Sequence, residues 1–143
     1  MTATMKLQPI IPAGWKRAKG FSYGMLARCG NILSIAGQLA VTQGAANVAQ
    51  GLSLGEQFVL CLQNVVSVVR AAGGEPGDIS ALRAFVTDIA AFKSAQAQIG
   101  TAWREILGAH FPAMTLVEVS ALFEENALVE IEATAIIQEV TRT

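Results

Sequence analysis

Four ionisable side chains fall in segments whose alternation gathers them. Glu130 and Glu132 are two apart in the run Leu128 to Ile137, Glu118 lies in Ala113 to Ala121, and Arg83 lies in Ile79 to Thr87. Along an extended strand, residues two apart share a face. Val129, Ile131, Ala133, Ala135 and Ile137 then form an apolar face, and Leu128, Glu130, Glu132 and Thr134 form the opposite one. The same alternation predicts Met114, Leu116, Glu118 and Ser120 on the charged side, opposite Thr115, Val117 and Val119. Arg83, Phe85 and Thr87 join that side, opposite Leu82, Ala84 and Val86. A carboxylate taken out of water needs a partner, or it protonates. Glu118 and Glu132 read as structural. Three carboxylates do not make a metal site here, because hard cations take six or more oxygens and no ligand spacing supplies them.

The remaining reactive side chains have plainer readings. His110 lies at a helix end, where a cation offsets the backbone dipole. Cys61 falls on an apolar helical stripe, and Cys29 beside a Gly30-Asn31 turn. Two cysteines form no disulfide framework, so a reduced, cytoplasmic setting is expected. Lys16, Arg17 and Lys19 form a small basic cluster, read as a solvated segment. Trp103 reads as helix packing.

These residues need elements to hold them. The first twenty residues, with Pro9, Pro12 and Gly14, read as irregular. Phe21 to Ala27 and Ile32 to Ala36 predict strands, joined at Gly30-Asn31 as a hairpin. Gly37-Gln38 ends or bulges the second strand. Ser53 and Glu56 form a capping box at the head of a helix over Leu54 to Ala72. Leu54, Phe58, Cys61, Leu62, Val65 and Val69 make its apolar stripe, and Gly73-Gly74 ends it. A second helix is predicted over Phe92 to Leu107, closed by Gly108 and Pro112. The order is β-β-α-β-α-β-β, an α+β fold in one domain over 1–143. Right-handed crossovers put both helices on one face of a mixed sheet.

The whole chain has 143 residues, net charge -1, 52% hydrophobic and only 15% charged residues. So few charges barely solvate a monomer, and the helix-free sheet face is expected to be covered by further copies of the chain. The near-neutral balance opposes nucleic-acid binding. Phe58 to Val69 is the greasiest stretch and far too short to cross a membrane. Lys6, Pro9 and Pro12 leave no apolar core for a secretion signal.

The ordered set of local marks resembles one family. They are Tyr23 seven residues before Gly30-Asn31, Gly37-Gln38, Gln57 and Asn64 in the first helix, Gly73-Gly74, and Asp88 with Phe92. Phe111-Pro112-Ala113, Val117-Glu118-Val119 and Glu130-Ile131-Glu132-Ala133 complete it. Over Phe21 to Ile137 the chain resembles the Rid superfamily, also called the YjgF/YER057c/UK114 family. The resemblance implies a chorismate-mutase-like fold and a homotrimer whose sheets line a central barrel. It implies small-molecule clefts between subunits and no cofactor. Family enzymes hydrolyse enamines and imines such as 2-aminoacrylate to ketoacids and ammonia. An arginine clamps the substrate carboxylate, and a glutamate with a bound water serves the hydrolysis.

The carry-over is partial. Tyr23, Gly37 and Glu130 match, and the resemblance thereby makes Glu130 the candidate for activating water or binding a ligand, against a barrel-lining charge. The clamping arginine is Met114, the serine before Gly-Gln is Ala36, the cleft cysteine is Leu116, and the cleft asparagine falls at Gln96. Arg83, where the enzymes usually carry a small polar residue, neighbours the last strand in the family fold; it is either a substitute cation or one half of a structural ion pair with Glu130 or Glu132. The ion pair is the preferred reading. Two functions stay open: hydrolysis of a small imine or enamine other than 2-aminoacrylate, and metabolite binding without turnover. Ribonuclease activity or translation inhibition, labels attached to this family, ranks last on charge.

Overall fold

The computed structural model describes residues 7–43 and 45–139. The main sheet has four strands: β3 (Asn31–Gln38), β4 (Ile79–Val86), β5 (Ala113–Glu118) and β6 (Val129–Ile137), in the order β3-β6-β4-β5. β6 pairs antiparallel with both β3 and β4, and β4 pairs parallel with β5. Helix α1 (Leu54–Ala71) carries the chain from β3 to β4. Two shorter helices, α2 (Ile89–Ser94) and α3 (Gln96–Leu107), carry it from β4 to β5.

The helices pack on one face of the sheet, as the parallel crossovers require. Val129, Ile131, Ala133 and Ala135 of β6 and Leu82, Ala84 and Val86 of β4 are buried there against Phe58, Leu62, Val65 and Val69 of α1. The capping box is formed: Ser53 Oγ accepts from the Glu56 N–H at 3.1 Å, and Glu56 Oε2 accepts from the Ser53 N–H at 2.8 Å.

Four sequence expectations need correction. Residues 1–6 lie outside the described part, and 11–20 form no helix or strand, as expected, but the segment before them is not irregular. Leu7–Ile10 forms β1, which pairs antiparallel with β2 (Gly24–Ala27) as a separate two-stranded ribbon. The expected hairpin is therefore absent: β2 turns to β1, while β3 turns to β6. A local turn signal fixes a change of direction, whereas the partner of each strand is chosen by distant residues. The second helix starts earlier, at Asp88, whose carboxylate accepts from the Ala91 N–H at 3.0 Å, and it breaks at Ala95.

The fourth correction concerns β5. Its residues stand level with β4 as Leu82 with Met114, Arg83 with Thr115, Ala84 with Leu116, Phe85 with Val117 and Val86 with Glu118. Level residues of paired strands share a face. Met114, Leu116 and Glu118 therefore lie on the helix side, and Thr115 and Val117 on the open side, the reverse of the sequence expectation. The strand also ends at Glu118 rather than Ala121. Both parities of this strand are largely apolar, so period-two alternation gives no contrast to orient it. Its place at the sheet edge lets Met114 and Leu116 be only partly buried while packing on the core.

Candidate functional site

The open face of the sheet carries Glu130, Glu132 and Thr134 of β6 beside Phe85, Arg83 and Ala81 of β4. Arg83 stands level with Glu132 and binds it: Nε donates to Oε1 at 2.6 Å. An Arg83 terminal amino group also donates to Thr134 Oγ1 at 3.3 Å. Both members of the ion pair are more than a third exposed, at 40% and 38%. Its contribution to stability is modest on that account. Glu118 sits elsewhere. On the helix side, its Oε1 accepts from the Ile89 N–H at 3.0 Å, at the start of α2.

Glu130 differs from both. Among the described residues it has no hydrogen-bond or ion-pair partner, although it is only partly exposed. Its carboxylate lies directly over Gly37, where any side-chain carbon would collide with it. Gly37 belongs to a bulge: the register between β3 and β6 shifts between Ile35 and Gln38. The extra residue brings bare backbone under the carboxylate. Ala36 is exposed beside it, and its carbonyl accepts from Gln38 Nε2 at 3.0 Å.

Helix α1 fixes both sides of this contact. Asn64 Nδ2 donates to the carbonyls of Leu39 and Val41, each at 2.9 Å, just beyond Gly37. Gln57, 1% exposed, donates from Nε2 to the Asn126 carbonyl at 2.9 Å. Gln57 Oε1 accepts from the Leu128 N–H at 2.8 Å, two residues before Glu130. Behind the strand, Cys61 Sγ donates to the Val129 carbonyl at 3.5 Å. Burial, with a smaller push from the Glu130 charge, raises the Cys61 thiol to about 12. It is therefore an unreactive core group.

Tyr23 lies at another place. Its hydroxyl donates to the Lys16 carbonyl at 3.0 Å, and its ring meets Trp15 and Phe21 edge-on. The neighbouring Ser22 forms an isolated parallel bridge to Ala113, at the start of β5. Ala113 is level with Ala81, whereas Glu130 is level with Phe85. Those positions are four residues apart along β4, or about 13 Å at the rise of a strand. Within one chain, then, Glu130, Gly37 and Ala36 come together, while Tyr23 and Met114 gather near the far end of the sheet. Gln96 is exposed at the start of α3, in the helix layer, and joins neither group.

His110 is tied down at the end of α3. Its Nε2 donates to the Ile79 carbonyl at 2.7 Å, while its own carbonyl accepts from Trp103 Nε1 at 3.1 Å. Among the described residues, no three His, Cys, Asp or Glu side chains are grouped to hold a metal ion. No helix among them is long and apolar enough to cross a membrane.

A family model described as Endoribonuclease L-PSP matches residues 16–137. The chain belongs to the Rid, or YjgF, family. A Rid-family protein of unknown function from Yersinia pestis, YyfB, superposes with a TM-score of 0.79 at 33% identity, over 93% of this chain and all of that one. The YjgF gene product of Escherichia coli superposes with a TM-score of 0.66 at 30% identity, over 90% and 91%. In sequence, a 2-iminobutanoate/2-iminopropanoate deaminase of Salmonella typhimurium is 35% identical across 75% of this chain and 80% of its own length. A RutC family protein of Pyrococcus horikoshii is 30% identical over 79% and 85%. The α+β architecture read from the sequence is thus the Rid fold. The strands that carry Glu130 and Gly37 belong to that fold.

Proposed function

We propose that this Rid chain forms a trimer with small-molecule clefts between copies, and that Glu130 activates water there for hydrolysis of a small imine or enamine. The observation that carries this reading is the unpaired Glu130 carboxylate over the bare backbone of Gly37. Its two neighbours in the sequence pattern are spoken for, Glu132 by Arg83 and Glu118 by the Ile89 N–H. The separation of Tyr23 from Glu130 within one chain supports a cleft that draws them from different copies. In that cleft Glu130 accepts a proton from water as the oxygen attacks the C=N carbon. The resulting carbinolamine collapses to a carbonyl and releases ammonia, with the proton returned to nitrogen. Arg83 serves here as the structural partner of Glu132.

The substrate differs from the usual one. Met114 and Leu116 are apolar and packed on the core, so neither can clamp a carboxylate. Loss of a bidentate arginine contact costs a few kcal/mol of substrate binding, roughly 1.5–3. A more apolar imine, or one without a clamped carboxylate, fits better than 2-aminoacrylate. The same apolar lining favours a second reading, metabolite binding without turnover. Ribonuclease activity finds no support on the open sheet face, where the one cation is neutralised by Glu132.

The test is ketoacid or aldehyde release from imines generated in situ, with wild type, Glu130→Gln and Met114→Arg. The hydrolase reading expects wild-type acceleration of a bulkier imine, lowered about 100-fold or more by Glu130→Gln. Activity on 2-aminoacrylate confined to Met114→Arg favours the binding reading. Wild-type activity unchanged by Glu130→Gln removes Glu130 from the chemistry.

A further inference from the structure

Phe123 is fully exposed in a single chain, more so than any other large apolar side chain among the described residues. The loop that carries it, residues 119–128, is anchored nonetheless. Its first amide, on Val119, donates to the Val86 carbonyl at 2.8 Å, and its last carbonyl, on Leu128, accepts from the Thr87 N–H at 3.0 Å. Within the loop the Ala127 N–H donates to the Glu124 carbonyl at 3.1 Å, and Leu122 packs on the core. Gln57 holds the Asn126 carbonyl, and Asn126 Nδ2 donates to the Val48 carbonyl at 3.4 Å. A ring held in water by an anchored loop gains its hydrophobic stabilisation only from a contact outside the chain.

The loop leaves β5 and enters β6, so it stands at the end of the sheet where Glu130 and Gly37 lie. The opposite end, where Ser22 bridges to Ala113, carries a cavity of about 860 Å³ that is partly open to solvent. Its lining includes Ile10, Ile11, Phe21 and Tyr23, all exposed. One chain thus bears an apolar knob at one end of its sheet and an apolar socket at the other. A knob and a socket on different parts of one surface make a head-to-tail contact, which repeats from copy to copy and closes as a ring where the rotation allows. The proposed cleft brings the same two ends together, Glu130 from one copy and Tyr23 from the next.

We propose that Phe123 of one copy seats against Ile10, Ile11 and Phe21 of the next, closes the open side of that cavity, and is the specificity-determining residue of the cleft. The inference rests on the reading of an inter-copy cleft for imine hydrolysis. The ring gives that cleft an apolar wall against which the hydrocarbon group of an imine packs, and so favours longer alkyl imines over 2-aminoacrylate.

Photocross-linking of the full chain with p-benzoylphenylalanine in place of Phe123 tests the contact independently of catalysis. Cross-links are expected between copies and into residues 10–23, located by peptide mass mapping on material of trimer mass. Cross-links confined to one chain or to other segments, or none in a trimer, overturn the contact. A chain that stays monomeric overturns it together with the inter-copy cleft. In the imine assay, Phe123→Ala is expected to raise KM for a longer alkyl imine about tenfold with kcat nearly unchanged, and Phe123→Leu to restore most of the loss. An unchanged KM overturns the specificity role. Cross-links into residues 10–23 in a protein that hydrolyses no imine remove the hydrolase reading, and the specificity role with it, but uphold the contact.

Discussion

Glu130 and Gly37 share one small space, and each limits what the other can become. A methyl group at Gly37 would occupy the position of the Glu130 carboxylate. Gly37→Ala is expected to displace that carboxylate and cut activity or ligand affinity about tenfold or more, with little loss of fold, as checked by assay beside thermal melting. Cys61 offers a second test. Its folded-state titration, raised to about 12 by burial first and Glu130 second, exceeds the ordinary 9.0. Between those values the folded state holds a proton that the unfolded chain has lost. Stability is therefore complete below pH 9 and falls as pH rises toward 12, by up to about 4 kcal/mol. Cys61→Ala lowers overall stability but flattens that decline, which urea titrations across this pH range can measure. A thiol reagent should modify exposed Cys29 at once and Cys61 only on unfolding. At this scale the sequence was informative where a side chain's role is local. Strand alternation put Glu130 and Glu132 on one face, and only the family resemblance singled out Glu130; Cys61 was placed by helical spacing. The Arg83 ion pair was expected with either Glu130 or Glu132, and only register chose Glu132.

Elements were legible in proportion to how local their signals are. The capping box at Ser53 and the stripe of α1 are contained in a single stretch of chain. Ser53→Ala is expected to cost about 1 kcal/mol, seen as a lower thermal midpoint. Gln57 has a longer reach. Gln57→Leu leaves the Asn126 carbonyl and the Leu128 N–H without partners, and should cost about 2 kcal/mol or more in a urea titration. The same change is expected to loosen the strand start that carries Glu130. The orientation of β5 was hidden for a physical reason: Met114, Leu116, Val117 and Val119 put apolar groups on both faces. The pairing of β2 with β1 was hidden because the residues flanking a turn do not choose their partners alone.

For the molecule as a whole, the helix-free face matters most. Ile32 is 73% exposed and Val117 41% exposed in a single chain. They lie on the two edge strands, with Phe85 between them. Such a surface fits the expected association of copies, and light scattering should give the mass of a trimer. Val117→Glu, on that face, is expected to shift the protein toward monomer without unfolding it. Composition raised the expectation of a cover, because so few charges barely solvate a monomer. It gave no count of copies. Helix α1 adds a consequence for motion. Gln57 and Asn64 are seven residues apart on one side of that helix, and each grips a different loop flanking Gly37 and Glu130. The two loops are far apart in sequence, yet neither can open while the helix stays docked. Amide protons in both should exchange with solvent at matched rates set by undocking of α1, so that the site opens as one cooperative unit.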